Sequence, residues 1–342
     1  MTSFDPNAIG IPNGNFLGLP YSNEEADIII IPVPWDVTTS YHPGTCQGPE
    51  AIIKASTQVD LFDFFLEQAW KNRIATLPLS EDILQLNEQL RPLAQQVIHL
   101  LETGMNANNP QILPLLEKIN LGCEKMNQWV YKTSYYWISK GKTACVLGGD
   151  HSTSLGLMRA LTKQYDGFGI LHIDAHADLR KAYEGFIFSH ASSMYNALEL
   201  KSLEKLVQVG IRDVCEDEMM LGYHDKRIKQ YDGYLLAFET LNGKPFSEIC
   251  EEIVKHLPSK VYVSFDIDGL NPELCPHTGT PVPGGLSFDQ VVLLLHILAT
   301  SGRQIIGFDL VEVAPGSDDE WDANVGARIL QKLCNLTRLS IP

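Results

Sequence analysis

The sequence lacks any pair of cysteines with C-x-x-C spacing. Its 7 cysteines are odd in number and scattered along 342 residues. Such a set is typical of reduced thiols, and it argues against a disulfide framework or a thiolate zinc site. We therefore expect any metal site in this chain to use ligands other than cysteine.

Basic residues and long apolar runs are also scarce. The chain has 26 Lys and Arg against 42 Asp and Glu, a net charge of −16. Nucleic acids and anionic membranes need a basic face, so neither is an expected partner. The most apolar run, residues 291–299, is far shorter than the roughly 20 residues of a transmembrane helix. The first residues have neither the basic start nor the apolar core of a signal peptide, so we predict a cytoplasmic protein.

Short apolar segments alternate with helical patterns along most of the chain. Strands are predicted at 26–35, 143–149, 168–176, 204–213, 260–268 and 304–313. Helices are predicted from Pro49 and at 81–101, 111–140, 153–165, 246–257 and 287–302. This alternation predicts an α/β protein with a mostly parallel sheet and helices on both faces. No linker divides the chain, so we predict one domain over 1–342, with a helical elaboration around 80–140.

Ionisable side chains follow four of the predicted strands. In "GILHIDAHADLR" (169–180), four of them fall on every second position: His172, Asp174, His176 and Asp178. In an extended chain this period places all four on one side, where burial without compensation is costly. His172 lies within the strand and is expected to support its neighbours. Asp150, ahead of "HSTS", fits a helix N-cap.

A metal centre would compensate the buried charge. The candidate ligands at the strand ends are His151, Asp174, His176, Asp178, Asp266 and Asp268. Imidazole and carboxylate without thiolate suit manganese, iron, nickel or zinc. Two divalent cations would cancel the four carboxylates. Such pairs lie about 3.5–4 Å apart and generate a nucleophile from water near neutral pH, which indicates hydrolysis.

Three segments resemble the signature motifs of the ureohydrolases, the arginase and agmatinase superfamily. They are "GGDHS" (148–152), "DAHAD" (174–178) and "SFDIDGLNP" (264–272), with supporting matches at 43–52, 278–285 and 307–315. The resemblance covers nearly the whole chain in the family's order. It implies a three-layer α/β/α arginase-like fold, two Mn²⁺ ions (Ni²⁺, Fe²⁺ or Zn²⁺ being alternatives) and a homo-oligomer, trimeric or hexameric.

The resemblance also implies a role for each motif residue. One metal would be held by His151, Asp174, Asp178 and Asp266, and the other by Asp174, His176, Asp266 and Asp268. Asp178 would orient the attacking hydroxide, Glu312 would pair with the substrate guanidinium, and His190 would shuttle protons. The expected reaction is hydrolysis of a small cationic guanidino compound to urea and an amine.

Departures from the arginase pattern bear on the substrate. Arginases hold the α-amino and carboxylate groups with an asparagine and nearby small polar residues after "DAHAD", where this chain has "LRKAYEGF" (179–186), whose Arg180 or Lys181 could contact a substrate carboxylate. His277 stands where a glycine usually precedes "TGTP". These three residues are the candidate substrate contacts, and an agmatinase-like activity is favoured over arginase.

Other functions remain open from the sequence. Guanidine or methylguanidine hydrolase, guanidinobutyrase, arginase and formimidoylglutamase are alternatives within the superfamily. A non-catalytic scaffold or regulatory homologue and a single-metal zinc deacetylase are alternatives of other classes, and the complete ligand set argues against both. Aromatic residues that could wall a compact pocket are Trp35, Tyr41, Tyr183 and Trp321.

Overall fold

Eight parallel strands form one sheet in the computed structural model, which describes residues 4–317 and 319–341. The strands are β1 Ile28–Val33, β2 Ile74–Thr76, β3 Thr143–Gly148, β4 Phe168–Ile173, β5 Leu203–Val209, β6 Ile228–Tyr231, β7 Lys260–Asp266 and β8 Gln304–Val311. Their order is β2-β1-β3-β8-β7-β4-β5-β6, and every neighbouring pair is parallel. The predicted sheet is therefore confirmed, and its pairings are parallel throughout.

Helices cover both faces of this sheet. They are α1 Gly48–Ser56, α2 Glu81–Glu102, α3 Leu113–Ile138, α4 Leu155–Leu161, α5 Ser193–Leu198, α6 Glu216–His224, α7 Gly233–Leu241, α8 Phe246–Lys255, α9 Phe288–Thr300 and α10 Trp321–Leu339. Strand residues alternate between the two apolar cores: Ile28 and Ile30 pack with α1 and α8–α10, whereas Ile29 and Ile31 pack with α2–α5. The result is the expected α/β/α sandwich.

The sheet order explains why distant motifs meet. The predicted ligands and Glu312 lie at or just after the carboxyl ends of β3, β4, β7 and β8, and these four strands are contiguous in the middle of the sheet. Their carboxyl ends lie at the same edge, which is where open α/β sheets bind ligands.

Several elements escape the sequence prediction. β2 and β6 are only 3 and 4 residues long, too short for a periodic pattern. No helix was predicted at α6, α7 or α10, although α10 carries a buried helical repeat, Val325, Ile329, Leu333 and Leu336. α2 and α3 lie where the sequence predicts them; they pack against each other, and α3 contacts β1, β3 and α4. In the described part of the chain, no helix has the length and apolarity to cross a bilayer.

Candidate metal centre and cavity

Four ligand atoms converge after β3, β4 and β7. The Nδ1 atom of His151 lies 3.1 Å from one oxygen of each of three carboxylates, those of Asp174, Asp178 and Asp266. All four side chains are buried. This group corresponds to the first predicted ligand set.

The hydrogen bond between His151 and Ser264 determines which ring nitrogen of the neutral imidazole carries the proton. Its Nε2 atom lies 2.9 Å from the Ser264 hydroxyl, which donates to Asp309 at 2.9 Å. Since a carboxylate only accepts, the hydroxyl lone pairs receive the His151 Nε2–H, and Nδ1 of the neutral ring carries a lone pair. Four acceptors thus face one another at Nδ1, an arrangement that a cation resolves.

A second group lies beside the first. His176 Nδ1 is 3.0 Å from Asp268 Oδ2 and 3.5 Å from Asp174 Oδ1. Asp174 therefore offers one oxygen to each group, as a bridging ligand would. Asp266 joins the first group through Oδ2, while its Oδ1 accepts the Asp268 N–H at 2.9 Å. Its bridging role stays a prediction.

These donor sets suit two divalent cations. The atoms of Asp174, His176 and Asp268 fall within 4.8 Å of one another, as do those of His151, His172, Asp174 and Asp178. Nitrogen and carboxylate oxygen without sulfur match borderline or hard divalent ions, and the donors do not select one of them. The buried Oδ2 of Asp178 and Nδ1 of His151 have no hydrogen-bond partner among the described residues. Both atoms would gain a partner if a cation bound between them.

His172 supports this centre from within β4. Its Nε2–H donates to Asp174 Oδ2 at 2.8 Å, and its Nδ1 accepts from the Gln208 amide at 2.9 Å. Gln208 is held by the Ala177 carbonyl at 2.7 Å. Such a partner orients a ligand carboxylate.

The backbone at the strand ends sets the ligand positions. Asp178 has a φ of 53°, so the chain turns sharply at a ligand instead of continuing as a strand. The loops after β4 and β7 also touch: Ala175 N–H donates to Asp268 at 3.0 Å, and a Cβ at Gly269 would come within 2.8 Å of the Asp174 nitrogen. The extended conformation that would place alternate side chains on one side therefore ends at Ile173, the last residue of β4. A turn then positions the candidate ligands Asp174, His176 and Asp178.

The cluster has perturbed pKa values. Burial, followed by the charges of Asp268 and Asp174, raises the pKa of Asp266 well above its usual range. Burial lowers the pKa of His151, but the close approach of three carboxylates outweighs burial and holds that pKa well above its ordinary value. Binding of divalent cations at these groups would therefore release protons.

Glu312 and His190 lie beside the candidate metal ligands. The Glu312 Oε1 atom accepts the His151 backbone N–H at 2.9 Å and lies 3.1 Å from His190 Nδ1. Its other oxygen, Oε2, is buried without a hydrogen-bond partner among the described residues. Burial lowers the pKa of His190, but Glu312 outweighs it, so this pKa lies above its ordinary value.

A cavity of about 150 Å³ opens over these groups. The predicted site residues on its wall are His151, His176, Asp178, Arg180, His190, Asp266 and Glu312. Arg180 Cζ lies 4.7 Å from the centre of the Tyr183 ring, and its Nε lies 3.6 Å from a Glu218 oxygen. A cation paired with an aromatic ring therefore forms part of the wall.

Two of the three predicted substrate contacts lie elsewhere. Lys181 is exposed and is not among the lining residues. His277 also lies outside the lining, and its Nδ1 pairs with Asp322 at 2.8 Å. Only Tyr183 of the four candidate aromatics lines the cavity: Trp35 is fully buried in the core, whereas Tyr41 and Trp321 are exposed.

The sequence analysis missed other wall residues, namely Ser40, Ala191, Asp213, Val214, Glu218 and Thr280. Ser40 precedes the segment 43–52 and Thr280 lies within 278–285, so both sit in or beside the supporting matches. Asp213 and Glu218 follow β5, a strand whose end carried no recognised motif. Asp150 caps the turn after β3 as predicted, accepting the Ser152 N–H at 3.1 Å.

Comparisons with known proteins find relatives that match most of the chain. A profile of the arginase family matches residues 26–335. The N(1)-aminopropylagmatine ureohydrolase of Thermus thermophilus is 33% identical over 296 residues, covering 86% of this chain and 85% of that protein. The agmatinase of Bacillus subtilis is 30% identical over 312 residues, covering 91% of each chain. The crystal structure of the agmatine ureohydrolase of Thermoplasma volcanium superposes with a TM-score of 0.71 at 24% identity, covering 95% of this chain and 94% of that one.

Proposed function

This chain belongs to the arginase family, and we propose that it hydrolyses a small cationic guanidino compound to urea and an amine, as an agmatinase does. The observation that carries the proposal is the convergence of His151 Nδ1 with three carboxylate oxygens at 3.1 Å. Beside them lies the Glu312 carboxylate, whose Oε2 has no hydrogen-bond partner among the described residues. Two divalent cations held there would lower the pKa of bound water and supply the nucleophile.

Glu312 positions the substrate in this proposal. Its Oε1 is occupied by protein donors, but Oε2 is buried, has no donor among residues 4–317 and 319–341, and belongs to a residue of the cavity wall. A guanidinium presents several N–H donors in one plane, so it can donate to Oε2 and satisfy it. Charge-assisted hydrogen bonds of this kind fix orientation as well as affinity.

His190 handles the proton that the departing amine needs. An amine leaves a guanidinium carbon readily only when its nitrogen is protonated. His190 Nδ1 is held by Glu312 at 3.1 Å, and its Nε2 lies on the Ser40 side of the cavity. We infer that His190 carries the proton and that Asp178, with its unpartnered Oδ2, orients the attacking water.

A second candidate substrate is guanidine or methylguanidine. The cavity of about 150 Å³ is small, and the cation of Arg180 stands in its wall. A long substrate with a distal ammonium group would meet this charge, whereas a compact guanidine would not.

Urea release from a panel of guanidines tests the proposal. The panel contains agmatine, N(1)-aminopropylagmatine, 4-guanidinobutanoate, arginine, guanidine and methylguanidine, each offered to protein loaded with Mn²⁺ or Ni²⁺. We expect urea from agmatine or from the compact guanidines, and little from arginine. If arginine were the best substrate, the proposed preference for agmatine or compact guanidines would be wrong. Two bound metals with no urea from any member would overturn the enzymatic proposal.

Arg180→Gln is expected to shift the preference within that panel. Removing a cation from the wall should raise kcat/KM for agmatine relative to guanidine by about fivefold, because like-charge repulsion at a half-exposed site is worth about 1 kcal/mol. Lys181→Gln is the matched control, since it removes a neighbouring exposed cation outside the wall. An unchanged ratio in Arg180→Gln would show that Arg180 does not set specificity.

A further inference from the structure

We propose that Arg91, on α2, is a positioning residue for His190. In this proposal it fixes the rim loop (residues 36–44), whose Ser40 then orients the imidazole. The inference rests on the proposed function, because it concerns the proton carrier of that reaction. It also gives the helical elaboration around 80–140 a role in the chemistry.

Arg91 is hydrogen-bonded to the backbone of the rim loop. Its Nη1 donates to the Val37 carbonyl at 3.0 Å and to the Thr39 carbonyl at 2.6 Å. The guanidinium thereby binds two carbonyls of the turn at 36–39, in which the Thr39 N–H donates to the Asp36 carbonyl at 3.3 Å. Since loop backbone has few partners of its own, such contacts decide where the segment lies.

Asn87 adds a second anchor from the same helix. It lies four residues before Arg91, and positions four apart share a helix face. Its amide donates to Asp36 Oδ1 at 3.1 Å, and its carbonyl oxygen accepts the Asp36 N–H at 2.8 Å. The other oxygen of Asp36 accepts the Gly44 N–H at 2.9 Å. Both ends of the rim loop are therefore tied to α2.

The inner side of the rim loop holds His190. Thr38 donates through its N–H and hydroxyl to Asp150 Oδ2, at 3.1 and 2.9 Å. The Thr38 hydroxyl oxygen in turn accepts the His190 N–H at 3.0 Å. Ser40 Oγ lies 3.2 Å from His190 Nε2.

The Ser40 contact persists in both charge states of the imidazole. His190 Nδ1–H faces the Glu312 carboxylate, which only accepts. In the neutral ring Nε2 accepts the Ser40 O–H, and in the protonated ring Nε2–H donates to the Ser40 oxygen. The Ser40 hydroxyl can therefore keep the imidazole in one orientation while the ring is protonated and deprotonated. A loose rim loop would remove this contact and leave the ring oriented by Glu312 alone.

A double-mutant cycle tests the connection. Arg91→Met keeps an unbranched, mostly apolar stem but removes the donors, and Ser40→Ala removes the hydroxyl. Each should lower kcat about tenfold with KM within about twofold, because small misplacements of a proton carrier reduce turnover. If Arg91 acts through Ser40, the double variant should be only slightly slower than the slower single variant. Independent effects would multiply to about 100-fold.

Further measurements separate positioning from folding. Hydrogen exchange of the amides at 36–44 should speed up in Arg91→Met and stay slow in Ser40→Ala. Arg91→Lys, which retains a donor, should recover part of kcat. Gln95→Ala, an exposed position one turn further along α2, should match the wild type.

The outcomes distinguish this inference from the proposed function. A wild-type protein that releases no urea would overturn the proposed function. In that case hydrogen exchange at 36–44 would still test whether Arg91 fixes the rim loop. An active wild type with wild-type kcat in Arg91→Met would overturn the positioning role. A multiplicative double variant would show that Arg91 does not act through Ser40.

Discussion

Asp174→Asn is expected to remove bound metal and to lower urea release by at least 10³-fold. Asp174 is the only described residue whose two oxygens fall in both ligand groups, 3.1 Å from His151 Nδ1 and 3.5 Å from His176 Nδ1. Asparagine has the same shape but replaces one anionic oxygen with an amide NH₂, which cannot coordinate a cation. Loss of a shared ligand weakens both sites.

Metal content and activity are measured together for this variant. We expect fewer than two Mn²⁺ per chain by elemental analysis after equilibration, with the far-ultraviolet circular dichroism of the wild type. Asp166→Asn is the matched control, because it makes the same exchange at an exposed position before β4 and should change neither quantity. An Asp174→Asn protein with two tightly bound metals and full turnover would contradict the ligand assignment.

Glu312→Gln should separate substrate binding from metal binding. The amide keeps an oxygen to accept the His151 N–H, so we expect wild-type metal content. The charge that pairs with the guanidinium is lost inside a buried site, which costs about 3–4 kcal/mol, or 10²- to 10³-fold in kcat/KM. Agmatine and guanidine should be affected alike, because both present the same guanidinium to Glu312.

The control for this variant is Glu320→Gln. Glu320 pairs with Lys54 at 2.8 Å, and both side chains are exposed, so its neutralisation should leave kcat/KM unchanged. If Glu312→Gln retained full kcat/KM with two metals bound, Glu312 would not be the guanidinium partner. If it lost its metals instead, Glu312 would act on the centre and not on the substrate.

Much of the site was predictable because its ligands are tied to strand ends. A buried strand such as β4 is evident from its apolar run, and ionisable groups directly after it have few structural uses. The contiguity of β3, β8, β7 and β4 was not evident, because strand order depends on long-range packing. The motifs nevertheless predicted that these ends converge, and the sheet provides the physical reason.

The substrate wall was less predictable. Arg180 and Lys181 are adjacent cations, and only the turn after Asp178, with its φ of 53°, directs the chain so that Arg180 reaches the cavity. His277 was singled out as a departure from a pattern, but it pairs with Asp322 of α10, a helix that the sequence analysis did not predict. Local sequence could not show that partner.

The rim loop shows the same limit. Ser40 and Arg91 are 51 positions apart, and they are connected only because Arg91 donates to the carbonyls of Val37 and Thr39 in the rim loop. Neither residue belongs to a motif. Their connection to His190 depends on hydrogen bonds from the Arg91 side chain to backbone carbonyls and from Ser40 to the imidazole, which no pattern in the sequence predicts.

The measurement that tests the central claim most directly is urea formed by metal-free protein as Mn²⁺ is added back. The account predicts that guanidine hydrolysis is absent without metal and rises to its full rate as the chain takes up two ions. The unfolding temperature should rise with metal concentration over the same range. Urea release that is undiminished after complete metal removal, or absent from the whole panel with two ions bound, would contradict it.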